Sequence, residues 1–208
     1  MLLKPNSTLL FIGDSVTDYG CGRGEDMGLG TGYPLLIAGE LNARYPSWGL
    51  RVINRGIGGN RVRDLQARWQ EDCLRFHPDI VSVLIGVNDT WRRFDCNDPT
   101  SPEAFEAAYR DILSRTRDTG AKIVMMEPFL LTYGTDHKKA WLGDFAEKVH
   151  VVRELAAEFA DVYVPLDGIM YAAGVQAESS RFAADGIHPS VEGHGIIARC
   201  WIDAVTRD

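Results

Sequence analysis

The chain has 208 residues, 45% of them hydrophobic, with 22 basic against 29 acidic side chains and a net charge of −7. That length supplies one substantial core and is short for two, so residues 1–208 are read as a single domain. Lys and Arg are scattered, which argues against nucleic acid and anionic membranes as partners, and no apolar run nears the roughly 20 residues that span a bilayer.

Taken in chain order, the apolar run 9–12 reads as a first strand; it is too short for a signal-peptide core, so a cytoplasmic protein is expected. Ile37, Leu41 and Tyr45 recur every four residues and predict a helix. A strand at 51–53 is followed by a helix carrying Val62, Leu65, Trp69, Cys73 and Phe76. After a strand at 80–85, Ser101 and Pro102 look like the cap and first residue of a helix with Phe105, Ala108, Tyr109 and Ile112 on its inner face, ended by Gly120. A strand at 122–126, a helix through Leu142, Phe145, Val149, Val152 and Leu155, a strand at 162–164 and a final helix from Ser190 through Ile197, Cys200, Trp201 and Ala204 complete the pattern. Short β-branched strands alternating with helices predict a buried parallel sheet between two helical layers, a three-layer α/β/α sandwich with five parallel strands. The least regular stretches, 19–31, 90–100 and 128–138, are the expected pocket walls.

Ser15 follows the first strand directly in Gly13-Asp14-Ser15, at the strand end where open α/β sheets bind ligands. A serine hydroxyl needs a base, and Asp185-Gly-Ile-His188 offers one: His188 as base and then acid, Asp185 as its orienting partner. Acyl transfer also needs donors for an oxyanion; Asn54-Arg-Gly-Ile-Gly-Gly59 and Gly86-Val-Asn88-Asp89 supply a glycine turn and a side-chain amide. Each segment alone reads as an ordinary turn. All four follow predicted strands, on one edge of one sheet.

Together, in this order, these four blocks resemble the signatures of SGNH (GDSL-like) hydrolases. The resemblance implies the flavodoxin-like strand order 2-1-3-4-5, Ser15 as nucleophile with Asp185 and His188, and an oxyanion hole of the Ser15 and Gly59 amides and the Asn88 side chain. Gly58 is the neighbouring alternative to Gly59. The resemblance implies no metal and no organic cofactor, and it favours a homo-oligomer. The stretches 10–18, 30–33, 62–69 and 88–91 are more narrowly similar to intracellular bacterial acetylxylan esterases, which deacetylate xylo-oligosaccharides. Ala184 departs from that subgroup, which carries an aromatic residue before the aspartate. The expected activity is therefore a serine esterase acting on a small O-acetyl carbohydrate ester. A general short-chain carboxylesterase, lysophospholipase or thioesterase is the alternative within the family, and a non-catalytic binding protein the alternative outside it.

Trp91 and Tyr33 are candidate substrate-binding residues, although aromatic side chains serve equally as core. Asp14, Asp18 and Arg61 flank the proposed site and are expected to fix its loops. His77, His137, His150 and His194 read as surface or structural, because none has a carboxylate placed like Asp185 and His194 lacks a third metal ligand. The stretch 56–61 imitates a dinucleotide fingerprint, but Arg61 stands where its third glycine belongs. Cys21, Cys73, Cys96 and Cys200 show neither a CxxC pair nor a metal pattern and are expected to be free thiols.

Overall fold

The structure, a computed structural model, describes residues 2–22, 28–132 and 136–207. Its elements in order are β1 (Thr8–Gly13), α1 (Ser15–Asp18), α2 (Tyr33–Arg44), β2 (Arg51–Gly56), α3 (Val62–Asp72), β3 (Ile80–Leu84), α4 (Val87–Asp95), α5 (Pro102–Asp118), β4 (Lys122–Met126), α6 (Leu142–Phe159), β5 (Val162–Val164), α7 (Leu166–Gln176) and α8 (Val191–Thr206). Short 3-10 turns occupy Leu74–Phe76, Asp136–Trp141 and Ser179–Arg181. All strand pairs are parallel, in the order β2-β1-β3-β4-β5 expected from the resemblance.

Alternation along the strands divides the core. Leu9 and Phe11 of β1 face a layer built on Ile37 and Leu41 of α2 and Ile197 and Trp201 of α8. Leu10 and Ile12 face Leu65 and Trp69 of α3, Tyr109 and Ile112 of α5 and Leu155 of α6. Each such fully buried side chain contributes about 1.5–3 kcal/mol relative to exposure, so the two clusters hold both helical layers to the sheet. The buried indoles keep polar partners: Trp69 Nε1 donates to Thr116 Oγ1 at 3.1 Å and Trp201 Nε1 to Ser82 Oγ at 3.0 Å.

Parallel register aligns the strand ends that carry the site. Gly13 pairs with Gly56 on one side and with Leu84 on the other. Glycine is needed at both positions by close approach: a Cβ on Gly13 would lie 2.2 Å from the Leu84 carbonyl oxygen, and one on Gly56 would lie 2.2 Å from the Asp18 amide nitrogen.

Several boundaries differ from the sequence reading. The second strand continues to Gly56, so the glycine turn begins later than periodicity suggested. The stretch 90–100, expected to be irregular, opens inside α4, whose first residues Val87, Asn88, Asp89 and Thr90 are buried. Among residues 128–138 the segment 128–132 is irregular, 133–135 lie outside the described residues, and the 3-10 turn begins at 136. In the stretch 19–31, residues 23–27 also lie outside the described residues. The four cysteines are free thiols, with Cys21 and Cys73 buried. No helix among the described residues is long and apolar enough to cross a membrane.

Candidate active site

Ser15 is the first residue of α1, immediately beyond β1, and its position is set by Asp14. The Asp14 carboxylate caps this one-turn helix by accepting from the Val16 amide at 3.0 Å. Burial pushes the Asp14 carboxyl up to about 6, opposed by the Val16 hydrogen bond and the nearby His188 charge. Asp18, at the other end of the turn, accepts the Gly58 amide at 2.9 Å through Oδ2. Gly58 lies against the nucleophile segment, since a Cβ built on it would sit 3.8 Å from Ser15 Cβ.

The hydrogen-bond chain from Ser15 is continuous. Ser15 Oγ lies 2.9 Å from His188 Nε2, and His188 Nδ1 lies 2.7 Å from Asp185 Oδ2. The other Asp185 oxygen accepts two backbone amides, Ile187 at 2.9 Å and His188 at 2.8 Å, which folds 185–188 into a closed turn. Ile187 anchors that turn in a small apolar cluster with Val87, Leu130, Trp141, Phe145 and Val149, and the Leu131 amide donates to the Gly186 carbonyl at 2.9 Å. The electrostatics follow from these bonds. Burial works against the Asp185 charge, but the hydrogen bonds from the His188 side chain and from the His188 and Ile187 amides outweigh it and hold the carboxyl well below the usual range. The hydrogen bond to Asp185 raises the His188 pKa, opposed by partial burial. A hydroxyl, an imidazole and an ionised carboxylate so connected can pass the hydroxyl proton to the ring and stabilise the resulting imidazolium.

The three N–H donors expected from the sequence, at Ser15, Gly59 and Asn88, differ in the partners they have. Gly59 adopts φ +80°, a conformation that favours glycine. The Gly58 amide is spent on Asp18, whereas among the described residues neither the Gly59 nor the Ser15 amide donates to an internal acceptor. This supports Gly59 over Gly58 as an oxyanion donor. Asn88 is buried at the start of α4, and its Nδ2 donates to the Asn60 carbonyl at 3.0 Å; an amide nitrogen carries a second N–H. Asn60 is fixed in turn by Arg68, whose guanidinium reaches Asn60 Oδ1 (2.8 Å), the Arg55 carbonyl (2.8 Å) and the Gly13 carbonyl (3.2 Å). Arg68 falls within the 62–69 stretch of the sequence resemblance but was given no role there, because an arginine on an amphipathic helix reads as a solvated face.

The flanking charges fix loops as expected. Arg61 donates to the Asp98 carbonyl at 3.0 Å and to Asp98 Oδ2 at 2.6 Å, tying the start of α3 to the segment after α4. Of the two aromatic candidates, Trp91 lies at the site, its ring 6.2 Å from that of His188 and 5.6 Å from that of Trp141. Tyr33 is not on the pocket wall. It is fully buried, its ring packs edge-on against Phe11 and its hydroxyl bonds Thr17 Oγ1 at 2.9 Å, so it belongs to the core beneath α1. His194 is also structural: it is buried and its Nδ1 accepts the Tyr33 amide at 3.1 Å. Lys138, which the sequence left unmarked, is buried beside Trp91, and its ammonium donates to the Asp185 carbonyl. Among the described residues no cluster of three or more His, Cys, Asp or Glu side chains could hold a metal ion.

The chain and its fold are similar to those of known esterases. The model of the GDSL-like lipase/acylhydrolase family matches residues 11–196. The chain is 37% identical to an acetylxylan esterase from Geobacillus stearothermophilus over 213 residues, covering 97% of this chain and 95% of that protein. A crystal structure of an acetylxylan esterase from the same organism superposes with a TM-score of 0.90 at 35% identity, covering 100% of this chain and 98% of that one. A second acetylxylan esterase, from Xylanibacter ruminicola, is 25% identical over 208 residues, 88% of this chain and 39% of that protein.

Proposed function

The chain belongs to the GDSL-like lipase/acylhydrolase family and is a serine hydrolase, and from that premise we propose that it removes O-acetyl groups from xylose-based oligosaccharides. The observation that carries the chemistry is the unbroken chain from Asp185 through His188 to Ser15, at 2.7 and 2.9 Å. The substrate class is supported by near full-length similarity to an acetylxylan esterase.

In the proposed reaction His188 Nε2 takes the Ser15 proton as Oγ attacks the acetyl carbonyl, and Asp185 stabilises the imidazolium that forms. The Ser15 and Gly59 amides and the Asn88 side chain donate to the oxyanion. His188 then returns the proton to the sugar hydroxyl as it leaves, and an acetyl-Ser15 ester remains. Water, deprotonated by His188, attacks that ester; the acyl–Oγ bond breaks, His188 returns the proton to Ser15 Oγ, and acetate leaves. Trp91, beside His188, offers an aromatic face to the acyl group or the sugar. No cofactor enters any step. A cytoplasmic location and self-association belong to the same reading, supported by the family resemblance; sedimentation measures the second.

The test is acetate release from acetylated xylo-oligosaccharides, alongside hydrolysis of acetyl and octanoyl 4-nitrophenyl esters. Release from the oligosaccharide with preference for acetyl is expected. A preference for octanoyl, or ester hydrolysis without any release from the oligosaccharide, overturns the substrate assignment and leaves the serine chemistry standing. Inactivity on every ester contradicts the catalytic reading as well.

A further inference from the structure

Lys138 has no part in the acyl-transfer steps, yet it is among the most confined charges in the molecule. It is 4% exposed, and its ammonium sits 5.3 Å from the ring centre of Trp91 and 5.4 Å from that of Trp141. Its hydrogen bond goes to the backbone carbonyl of Asp185, the residue that orients His188. Burying an ammonium is costly unless it is compensated. Two indole rings and one carbonyl supply compensation, but a methionine lying against the same two rings fills the space with no charge to desolvate. The charge itself therefore calls for a use.

We propose that Lys138 is a positioning residue of the hydrolytic site: lodged against the paired rings of Trp91 and Trp141, it clamps the Asp185 carbonyl and sets a fixed positive charge beside the Asp185–His188 pair. The inference rests on the catalytic reading given above and deepens it. Among the described residues, the polar and aromatic groups that face His188 are Asp185 from its own turn, Asp14 and Ser15 from the junction of β1 and α1, Trp91 from α4 and Lys138 from the 3-10 turn at Asp136–Trp141. The two carboxylates favour the imidazolium, and Lys138 is the cation that opposes them. Without that opposition the ring holds its proton to higher pH and is a poorer base in neutral solution, because only neutral imidazole accepts from Ser15. The clamp also restrains the turn that carries Asp185, so one side chain governs both the placement and the proton affinity of the base.

The test titrates the His188 ring by NMR in the wild type, Lys138→Met and Lys138→Arg, with the His188 signal identified by its loss in His188→Ala. This readout needs no turnover, so it remains valid if the substrate assignment fails. In Lys138→Met the His188 midpoint is expected to move upward. With 4-nitrophenyl acetate, kcat/KM of Lys138→Met should fall roughly threefold further at about pH 6 than at about pH 9, as expected for loss of one nearby charge. Lys138→Arg should return the midpoint toward the wild type, since it restores the cation. A folded Lys138→Met protein with an unmoved His188 midpoint and a uniform loss of rate at all pH overturns the proposal and leaves Lys138 a packing residue. If Lys138→Met does not fold, Lys138→Gln carries the same comparison, because its amide keeps a donor for the Asp185 carbonyl and lacks the charge.

Discussion

Asp185 does two jobs with two oxygens. Oδ2 orients the His188 ring, and Oδ1 closes the turn by accepting the Ile187 and His188 amides. Because the bond to Asp185 raises the His188 pKa above the ordinary 6.5, the imidazole proposed as the base is protonated through mildly acidic pH. The expected profile of kcat/KM therefore rises with pH, with its inflection above that value, and Asp185→Asn moves the inflection down as it lowers the rate. A rate independent of pH across the histidine range contradicts the assignment of His188. Asn88→Ala should cost on the order of a hundredfold in kcat, measured with an acetyl ester, as expected for an oxyanion donor. At this scale the sequence was informative where motifs met strand ends: Ser15, His188 and Asp185, distant along the chain, are joined by hydrogen bonds, and Asn88 bonds the turn that carries Gly59. It was uninformative for Tyr33 and Lys138. An aromatic side chain suits a sugar site and a core equally, and a single lysine carries no pattern until its surroundings are known.

Elements reach the site through a buried network at the end of β4. Glu127, fully buried, accepts from Arg153 Nε at 2.7 Å, the Tyr163 hydroxyl at 2.7 Å and the Asp167 amide at 3.0 Å. Asp167 then accepts the Leu130 amide at 3.2 Å, and Leu131 bonds the turn that carries Asp185 and His188 at Gly186. This links β4, β5, α6 and α7 to the position of His188. Glu127→Ala leaves the Tyr163 and Asp167 donors unmatched and should cost about 2–4 kcal/mol in urea unfolding, with little added from the solvent-exposed Arg153. Glu127→Gln, which keeps an acceptor, should cost less; equal stability of the alanine variant and the wild type argues that the network contributes nothing. The strands were legible because β-branched runs between turns have few other readings. Three helices were not: α1 is one turn long, α4 carries polar residues on the face it buries at Asn88 and Asp89, and α7 is interrupted by Gly168 and Gly174. In each, tertiary packing supplies the stability that local pattern lacks.

Across the molecule, buried carboxyls couple stability to pH. Asp89 is fully buried between the starts of α3 and α4, one oxygen accepting the Val62 amide at 3.2 Å, and burial pushes its pKa up to about 7. A carboxyl whose pKa is raised on folding binds its proton more tightly in the native state. Its contribution to stability is therefore lost as pH rises from the unfolded value of 3.8 to about 7. Asp89→Asn removes this titration while keeping an acceptor for Val62. Its melting temperature relative to the wild type should accordingly improve between about pH 5 and about pH 8. A difference that does not change with pH would place the titration elsewhere. The three-layer arrangement was legible from alternation of strands and helices, whereas the buried charges beneath the site were not, since sequence does not distinguish a carboxylate in solvent from one in the core.

The central claim, that Ser15 is a nucleophile activated by His188, is tested most directly by reaction with a fluorophosphonate followed by intact-mass and peptide analysis. Such a reagent stays on an activated serine and does not depend on which ester is the substrate. One adduct per chain on the peptide containing Ser15 is expected, absent in Ser15→Ala and formed far more slowly in His188→Ala. A folded wild-type protein that hydrolyses esters yet takes no adduct at Ser15, or takes it at another residue, would contradict the account.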